Sequence, residues 1–161
     1  MERLITFETS QLTALAHIAI AMLLGGVIGL ERERAHKPAG LRTHMLVAGA
    51  AAFLVILGDV VIQRYNQPRY IPGLRGDPLR ILSAVITGVS FLGAGTIMRR
   101  AQAETVEGLT TAASMLMVAA IGACVALGES GLALGVTGLV FATVHVLVRV
   151  ERRIGTRAGD R

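Results

Sequence analysis

The run LTALAHIAIAMLLGGVIGL (Leu12–Leu30), followed at once by Glu31-Arg32-Glu33-Arg34, decides the fold. Its single ionisable side chain is His17, and as a helix rising about 1.5 Å per residue it covers most of the roughly 30 Å of bilayer hydrocarbon. Working outward, the pattern recurs at Met45–Ile62, broken only by Asp59, at about 79–98, at Leu109–Leu127 and at Gly131–Val148, which carries His145. In lipid a helix satisfies its own N–H and C=O groups, whereas an open strand does not, and the alternating polarity of a barrel strand is absent. The expectation is an all-α polytopic membrane helix bundle. It has about five transmembrane helices, 12–30, 45–62, 79–98, 109–127 and 131–148, in a single transmembrane domain over 1–161.

Composition agrees. Of 161 residues 53% are apolar and 17% charged, below the usual quarter of charged residues, and the mean hydropathy is +0.61. The net charge of +5 would suggest nucleic acid in a soluble chain. Here the basic residues stand between and after the apolar runs, so anionic lipid head groups are the expected partner and nucleic acid is not. The lone cysteine, Cys124, excludes an internal disulfide and a cysteine metal cage. The first run ends in charges rather than a small-residue cleavage site, so it reads as a retained span.

With five spans the termini lie on opposite sides. Arg3, Arg64, Arg69, Arg75 and Arg80 fall on one side and the other eleven Lys and Arg residues on the other. The enrichment of basic residues in cytoplasmic loops then places the N-terminus outside and the C-terminus in the cytoplasm. Residues 64–78, with three prolines, read as an irregular outer loop. Gly128-Glu129-Ser130-Gly131 reads as a tight turn, and the Arg-rich tail after Val148 as a segment on the inner membrane surface.

Three stretches carry the candidate chemistry. The first joins spans one and two: Gly29-Leu30-Glu31-Arg32-Glu33-Arg34, then Lys37-Pro38-Ala39-Gly40-Leu41-Arg42-Thr43-His44. Glu31 and Glu33 close span one while Arg42 and His44 open span two, so ion pairs between them are expected; Arg32, Arg34 and Lys37 read equally well as interfacial anchors. The second, Thr87-Gly88-Val89-Ser90-Phe91-Leu92-Gly93-Ala94-Gly95-Thr96, offers small residues for close packing or a hinge. The third, Val106-Glu107-Gly108-Leu109-Thr110-Thr111-Ala112-Ala113-Ser114, opens span four with a flexible Gly108 and two hydroxyls.

All three meet at the cytoplasmic end in this topology. Glu31, Arg34, Arg42, Thr43, Thr96, Glu107, Thr110 and Thr111 are therefore the expected polar cluster. Gly25, Gly29, Gly88, Gly93, Gly95 and Gly108 are the expected packing or hinge positions, and Gly131 and Gly135 repeat the small-residue spacing. His17 and His145 read as histidines satisfied inside the bundle. Asp59 reads as paired with Arg64, or else as a cation-attracting vestibule. No phosphate-binding loop, zinc-protease helix or serine-hydrolase elbow is present in the sequence, so no enzyme activity and no cofactor are expected, and metal binding is left open.

Taken together, the Gly-x-x-x-Gly-Leu-Glu-Arg-Glu…Ala-Gly-Leu-Arg-Thr-His-Met-Leu-Val, Phe-Leu-Gly-Ala-Gly-Thr-Ile and Val-x-Gly-Leu-Thr-Thr-Ala-Ala-Ser stretches resemble the MgtC/SapB family of bacterial inner-membrane proteins over about residues 20–128. The resemblance implies a five-span domain with an outside N-terminus and a link to magnesium limitation, acid stress or intracellular survival. It implies action through restraint of a membrane ATP synthase rather than magnesium transport. With about 13 residues after the last span, the chain is more similar to short SapB-type members than to those with a C-terminal cytoplasmic domain. It carries Leu116 and Met117 where the family often has a Trp.

The expected function is therefore a non-enzymatic inner-membrane protein that modulates another membrane complex, with self-association as a further expectation. The alternative is a small ion or solute transporter or channel subunit. A purely lipid-organising protein accounts for the basic inner face but not for the clustered Glu, Thr and Gly residues.

Overall fold

The computed structural model describes residues 9–65, 77–99 and 106–154. Five helices follow one another: α1 (Thr9–Arg34), α2 (Leu41–Tyr65), α3 (Pro78–Thr96), α4 (Leu109–Ala126) and α5 (Ser130–Ile154). Ser10–Arg34, Leu41–Arg64, Pro78–Thr96 and Leu109–Ala126 are long and apolar enough to cross a bilayer. The apolar part of α5, Ser130–Val146, is shorter. The architecture is an all-α membrane helix bundle. Large side chains such as Phe91, 80% exposed, and Leu79, Ile86 and Leu139 coat its outside, which suits contact with acyl chains rather than water.

The turns follow from local chemistry. At the end of α1, Lys37 N–H donates to Arg32 O and His36 N–H to Glu33 O. This is the hydrogen-bond pair of a Schellman stop, and His36 takes the left-handed position, φ 52. Glu33 then reaches across the loop, its Oε2 accepting the Leu41 N–H at 2.7 Å and capping the start of α2. Before α3, Asp77 Oδ1 accepts the Leu79 N–H at 2.9 Å with Pro78 in the first helical position. The α4–α5 turn repeats the Schellman pattern around Gly128, φ 83, with Glu129 N–H on Cys124 O and Gly128 N–H on Val125 O. The tight turn expected there is present.

The helices α1 and α2 run a few residues beyond the expected spans, and the ends of α3 and α5 differ from expectation in kind. The third span was expected to run to residue 98, but Ile97 is extended (φ −85, ψ 112) and ends α3 at Thr96. Met98–Arg99 (β1) then pairs antiparallel with Val106–Glu107 (β2), Met98 opposite Glu107. Gly108 follows at φ 94, and a Cβ on it would collide with the Thr96 carbonyl oxygen. Gly108 is thus a fixed corner that only glycine fits, not the flexible start expected. At the other end of the chain, residues 149–154 prolong α5 instead of leaving the helix at Val148; residues 155–161 of the expected surface tail lie outside the described residues, as do 66–76 of the expected outer loop.

Helix α4 sits at the centre and packs against all four other helices. Its buried face runs Thr111, Ser114, Met115, Val118, Ile121, Gly122 and Val125. Small residues let its neighbours close on it. A Cβ on Gly25 would stand 2.6 Å from the His44 carbonyl oxygen, one on Gly29 2.8 Å from His44 Cβ, and one on Gly122 would collide with the Ala48 carbonyl. The expected packing role of Gly25 and Gly29 is thus visible at the α1–α2 crossing, and Gly93 meets Ala112 on α4, 3.2 Å between Cβ positions.

Gly88 and Gly95 do not pack: a Cβ at either would meet nothing within 4 Å. The buried face of α3 is Val85, Val89 and Gly93, one residue every helical turn, and Gly88 and Gly95 fall off that line. The helix is continuous through all three glycines. Gly131 and Gly135 are open in the same way.

Candidate functional site

The most deeply buried polar groups of the bundle lie where the end of α1 meets the start of α2, the start of α4 and the end of α5. Helical phase puts them there. On α1 the buried positions Ala21, Leu24, Ile28 and Arg32 succeed one another at three- and four-residue steps, so the stripe that packs the apolar core ends on a guanidinium that is 1% exposed. On α2 the stripe Ala52, Ala51, Ala48 and Val47 ends on His44, 0% exposed. On α4 it ends on Ser114 and Thr111, both buried.

Arg32 is held by two elements. Its Nε donates to Glu31 Oε2 at 2.5 Å, Nη2 stands 2.5 Å from the same oxygen, and Nη2 also donates to the Val144 carbonyl of α5 at 3.0 Å. Glu31 is itself largely buried, 11% exposed, and its other oxygen lies 3.9 Å from His145 Nδ1. The His145 ring stacks on Phe141, centroids 5.3 Å apart. A buried charge needs a partner and filled hydrogen-bond positions; here Glu31 supplies the countercharge and the α5 backbone a further acceptor, so the pair ties α1 to α5.

His44 makes the second tie. Its Nδ1 is 2.9 Å from Gly40 O, and since a carbonyl only accepts, Nδ1 carries a proton. Its Nε2 is 2.9 Å from Ser114 Oγ, and Ser114 Oγ is also within 2.8 Å of Thr111 O, to which it donates. With a neutral imidazole, one hydroxyl proton serves two acceptors, Nε2 and Thr111 O; the chain joins α2 to α4 without leaving a buried side-chain atom unpaired among the described residues. Ser114→Ala removes the one partner that Nε2 has among the described residues and is expected to lower stability by about 1–3 kcal/mol, the cost of a stranded buried acceptor. The unfolding midpoint in detergent measures it, and an unchanged midpoint would refute this reading of the bond.

Of the residues that the sequence put forward, Glu31 and Thr111 take part in these buried contacts. Arg34, Arg42, Glu107 and Thr110 are exposed, and Thr43 and Thr96 half-buried. Thr96 Oγ1 turns back to Gly93 O at 2.7 Å, and Thr96 and Glu107 belong to the strand-pair junction around Gly108 rather than to the Arg32–His44 cluster. The expected ion pairs also form differently. Glu31 pairs with its neighbour Arg32, and Glu33 caps α2. Arg42 is two residues from His44, on the opposite side of α2, and both cannot face α1. His44 was expected as an ion-pair partner of Glu31 or Glu33 and Arg32 as an interfacial anchor, but neither they nor Ser114 stood in the expected polar cluster, and the Val144 carbonyl was not put forward from sequence. The signal that finds Arg32 is its register: it continues the Gly25, Ile28 and Gly29 face, while Arg34 does not.

At the opposite end of the bundle, a cavity of about 620 Å³ opens between α1, α2, α3 and α4, with His17, Asp59 and Gln63 among its lining residues. Among the described residues Asp59 does not pair with Arg64 as expected. Its Oδ2 instead accepts from Gln63 Nε2 at 2.6 Å.

The family model of the MgtC family matches residues 18–153. The chain is 36% identical over 141 residues to protein SapB of Bacillus subtilis, covering 88% of this chain and 59% of that protein. It is 38% identical over 136 residues to protein MgtC of Brucella abortus, covering 83% and 50%. It is 39% identical over 123 residues to YhiD of Escherichia coli K12, a protein named provisionally as a magnesium transporter, covering 76% and 54%. The chain thus spans between a half and three-fifths of the length of each of these relatives. No solved structure matches it.

Proposed function

Because the chain belongs to the MgtC family, we propose that it is a bacterial inner-membrane protein of magnesium-limitation and stress homeostasis, with its N-terminus outside and its C-terminus in the cytoplasm. It acts without catalysis, by modulating another membrane complex of the ATP-synthase type. The observation that supports a modulator over a carrier is the closed state of the polar end. Arg32, His44, Thr111 and Ser114 are buried and bonded to Glu31, to Gly40 O, to α5 or to one another. Groups so engaged fix helix register; a transported ion would have to displace them. The exposed Arg34, Arg42, Glu107 and Thr110 at the helix ends and strand pair then serve contact with the partner and with anionic lipid.

The test is deletion in the host: growth is expected to fail at low magnesium and cellular ATP to rise. Normal growth with unchanged ATP would overturn the proposal. A transporter reading is favoured by the name given to YhiD. Purified protein in liposomes separates the two, since a carrier moves magnesium unaided and a modulator does not.

A further inference from the structure

The cavity of about 620 Å³ at the end of the bundle opposite the Arg32–His44 cluster has both aliphatic and polar lining. Its size falls in the ordinary range of small-molecule sites, roughly 300–1,000 Å³. Val55, Ile81 and Leu127 give it aliphatic lining, and Asp59 and Gln63 of α2 and His17, Ser10 and Thr13 of α1 give it polar lining. No Lys, Arg or aromatic Phe or Tyr lines it among the described residues. Among the described residues, the carboxylate of Asp59 is held by the Gln63 amide alone, at 2.6 Å. It has no cationic partner among the described residues.

A carboxylate beside aliphatic walls favours a cation with an apolar body. The hydrogen-bonding character of the lining narrows the class. Carboxylate, amide carbonyl and imidazole nitrogen are acceptors for N–H donors, whereas a quaternary ammonium, which donates nothing, is recognised by aromatic faces, and the described lining has none. We propose that this cavity binds a primary ammonium with an aliphatic body, its NH3⁺ group on Asp59 with His17 and Gln63 alongside, and its carbons against Val55, Ile81 and Leu127. The ammonium can come from a free alkylamine or from the head group of an aminophospholipid. The proposal is independent of the modulator role, because binding is read on the purified protein.

The experiment is calorimetric titration of n-hexylammonium into the full chain in phosphatidylcholine nanodiscs, with hexanol and tetraethylammonium as matched probes. Saturable binding is expected for hexylammonium. It should be weakened about tenfold or more by Asp59→Asn, as befits loss of a charge-assisted hydrogen bond, and abolished by Ala14→Phe, which places a ring in the cavity. Hexanol and tetraethylammonium should bind at least about tenfold more weakly. Equal binding of hexanol, or binding untouched by Asp59→Asn, would overturn the proposal; Asp59 is exposed, so the Asn variant is expected to keep its fold, checked by its unfolding midpoint. Repeating the titration in phosphatidylethanolamine nanodiscs assigns the source. Competition there supports a lipid head group as the resident ammonium, unchanged affinity supports a free amine, and absence of saturable binding in both lipids refutes the site.

Discussion

Arg32→Ala is expected to destabilise the bundle by about 3–5 kcal/mol, the range found when one partner of a buried ion pair is removed. The residue is 1% exposed and Glu31 11%, so truncation leaves a carboxylate in a low-dielectric site without its countercharge and takes a donor from the Val144 carbonyl. Arg32→Lys should recover only part of the loss, since a single ammonium does not reproduce the fork that reaches Glu31 and α5 together. Removing both charges with Glu31→Gln and Arg32→Met should be far milder than Arg32→Ala, because it leaves no buried charge without its countercharge. Equilibrium unfolding by SDS in mixed micelles ranks the three variants. If Arg32→Ala unfolds at the same SDS fraction as the parent chain, the α1–α5 tie contributes nothing.

The second large effect is expected at Gly122. A Cβ there collides with the Ala48 carbonyl oxygen, a backbone atom that moves only if α2 and α4 separate, and overpacking of this kind costs about 1–3 kcal/mol. Gly88→Ala is the matched control. It adds the same methyl group to a helix of the same bundle, where nothing lies within 4 Å, and helix propensity favours Ala over Gly by roughly 0.5–1 kcal/mol. The two substitutions should therefore have opposite signs. Thermal unfolding of both in one detergent decides it; equal midpoints would mean that the α2–α4 crossing relaxes freely around a methyl group.

Much of the fold was legible because long apolar runs admit one conformation in lipid, and Leu12–Leu30 or Leu109–Leu127 could hardly be read otherwise. The close crossing of α1 and α2 was legible from Gly25 and Gly29. The end of α3 was not, since Ile97 and Met98 are as apolar as the helix before them, and the corner that abuts the Thr96 carbonyl, Gly108, lies twelve residues further on. The polar cluster was half legible. Charge and position pointed to Glu31 and Arg42 together, but phase separates them, and phase is what buries Arg32 and His44. Among the four successive residues Glu31-Arg32-Glu33-Arg34, composition cannot say which faces the core; the three- and four-residue steps from Ala21 can. The tie from Arg32 to the Val144 carbonyl was beyond reach, because it depends on how α5 returns to α1, which no local pattern encodes.

The central position of α4 has a consequence for biogenesis. During synthesis α1 and α2 can zip together as soon as they leave the translocon, but the helix that touches all the others begins only at Leu109, and at ~5–20 residues per second it trails the end of α2 by several seconds. Until it arrives, Val85, Val89 and Gly93 of α3 face lipid or a chaperone in place of their native neighbour. A nascent chain stalled before Leu109 should accordingly be a substrate for membrane quality control, and one released with α4 and α5 complete should not.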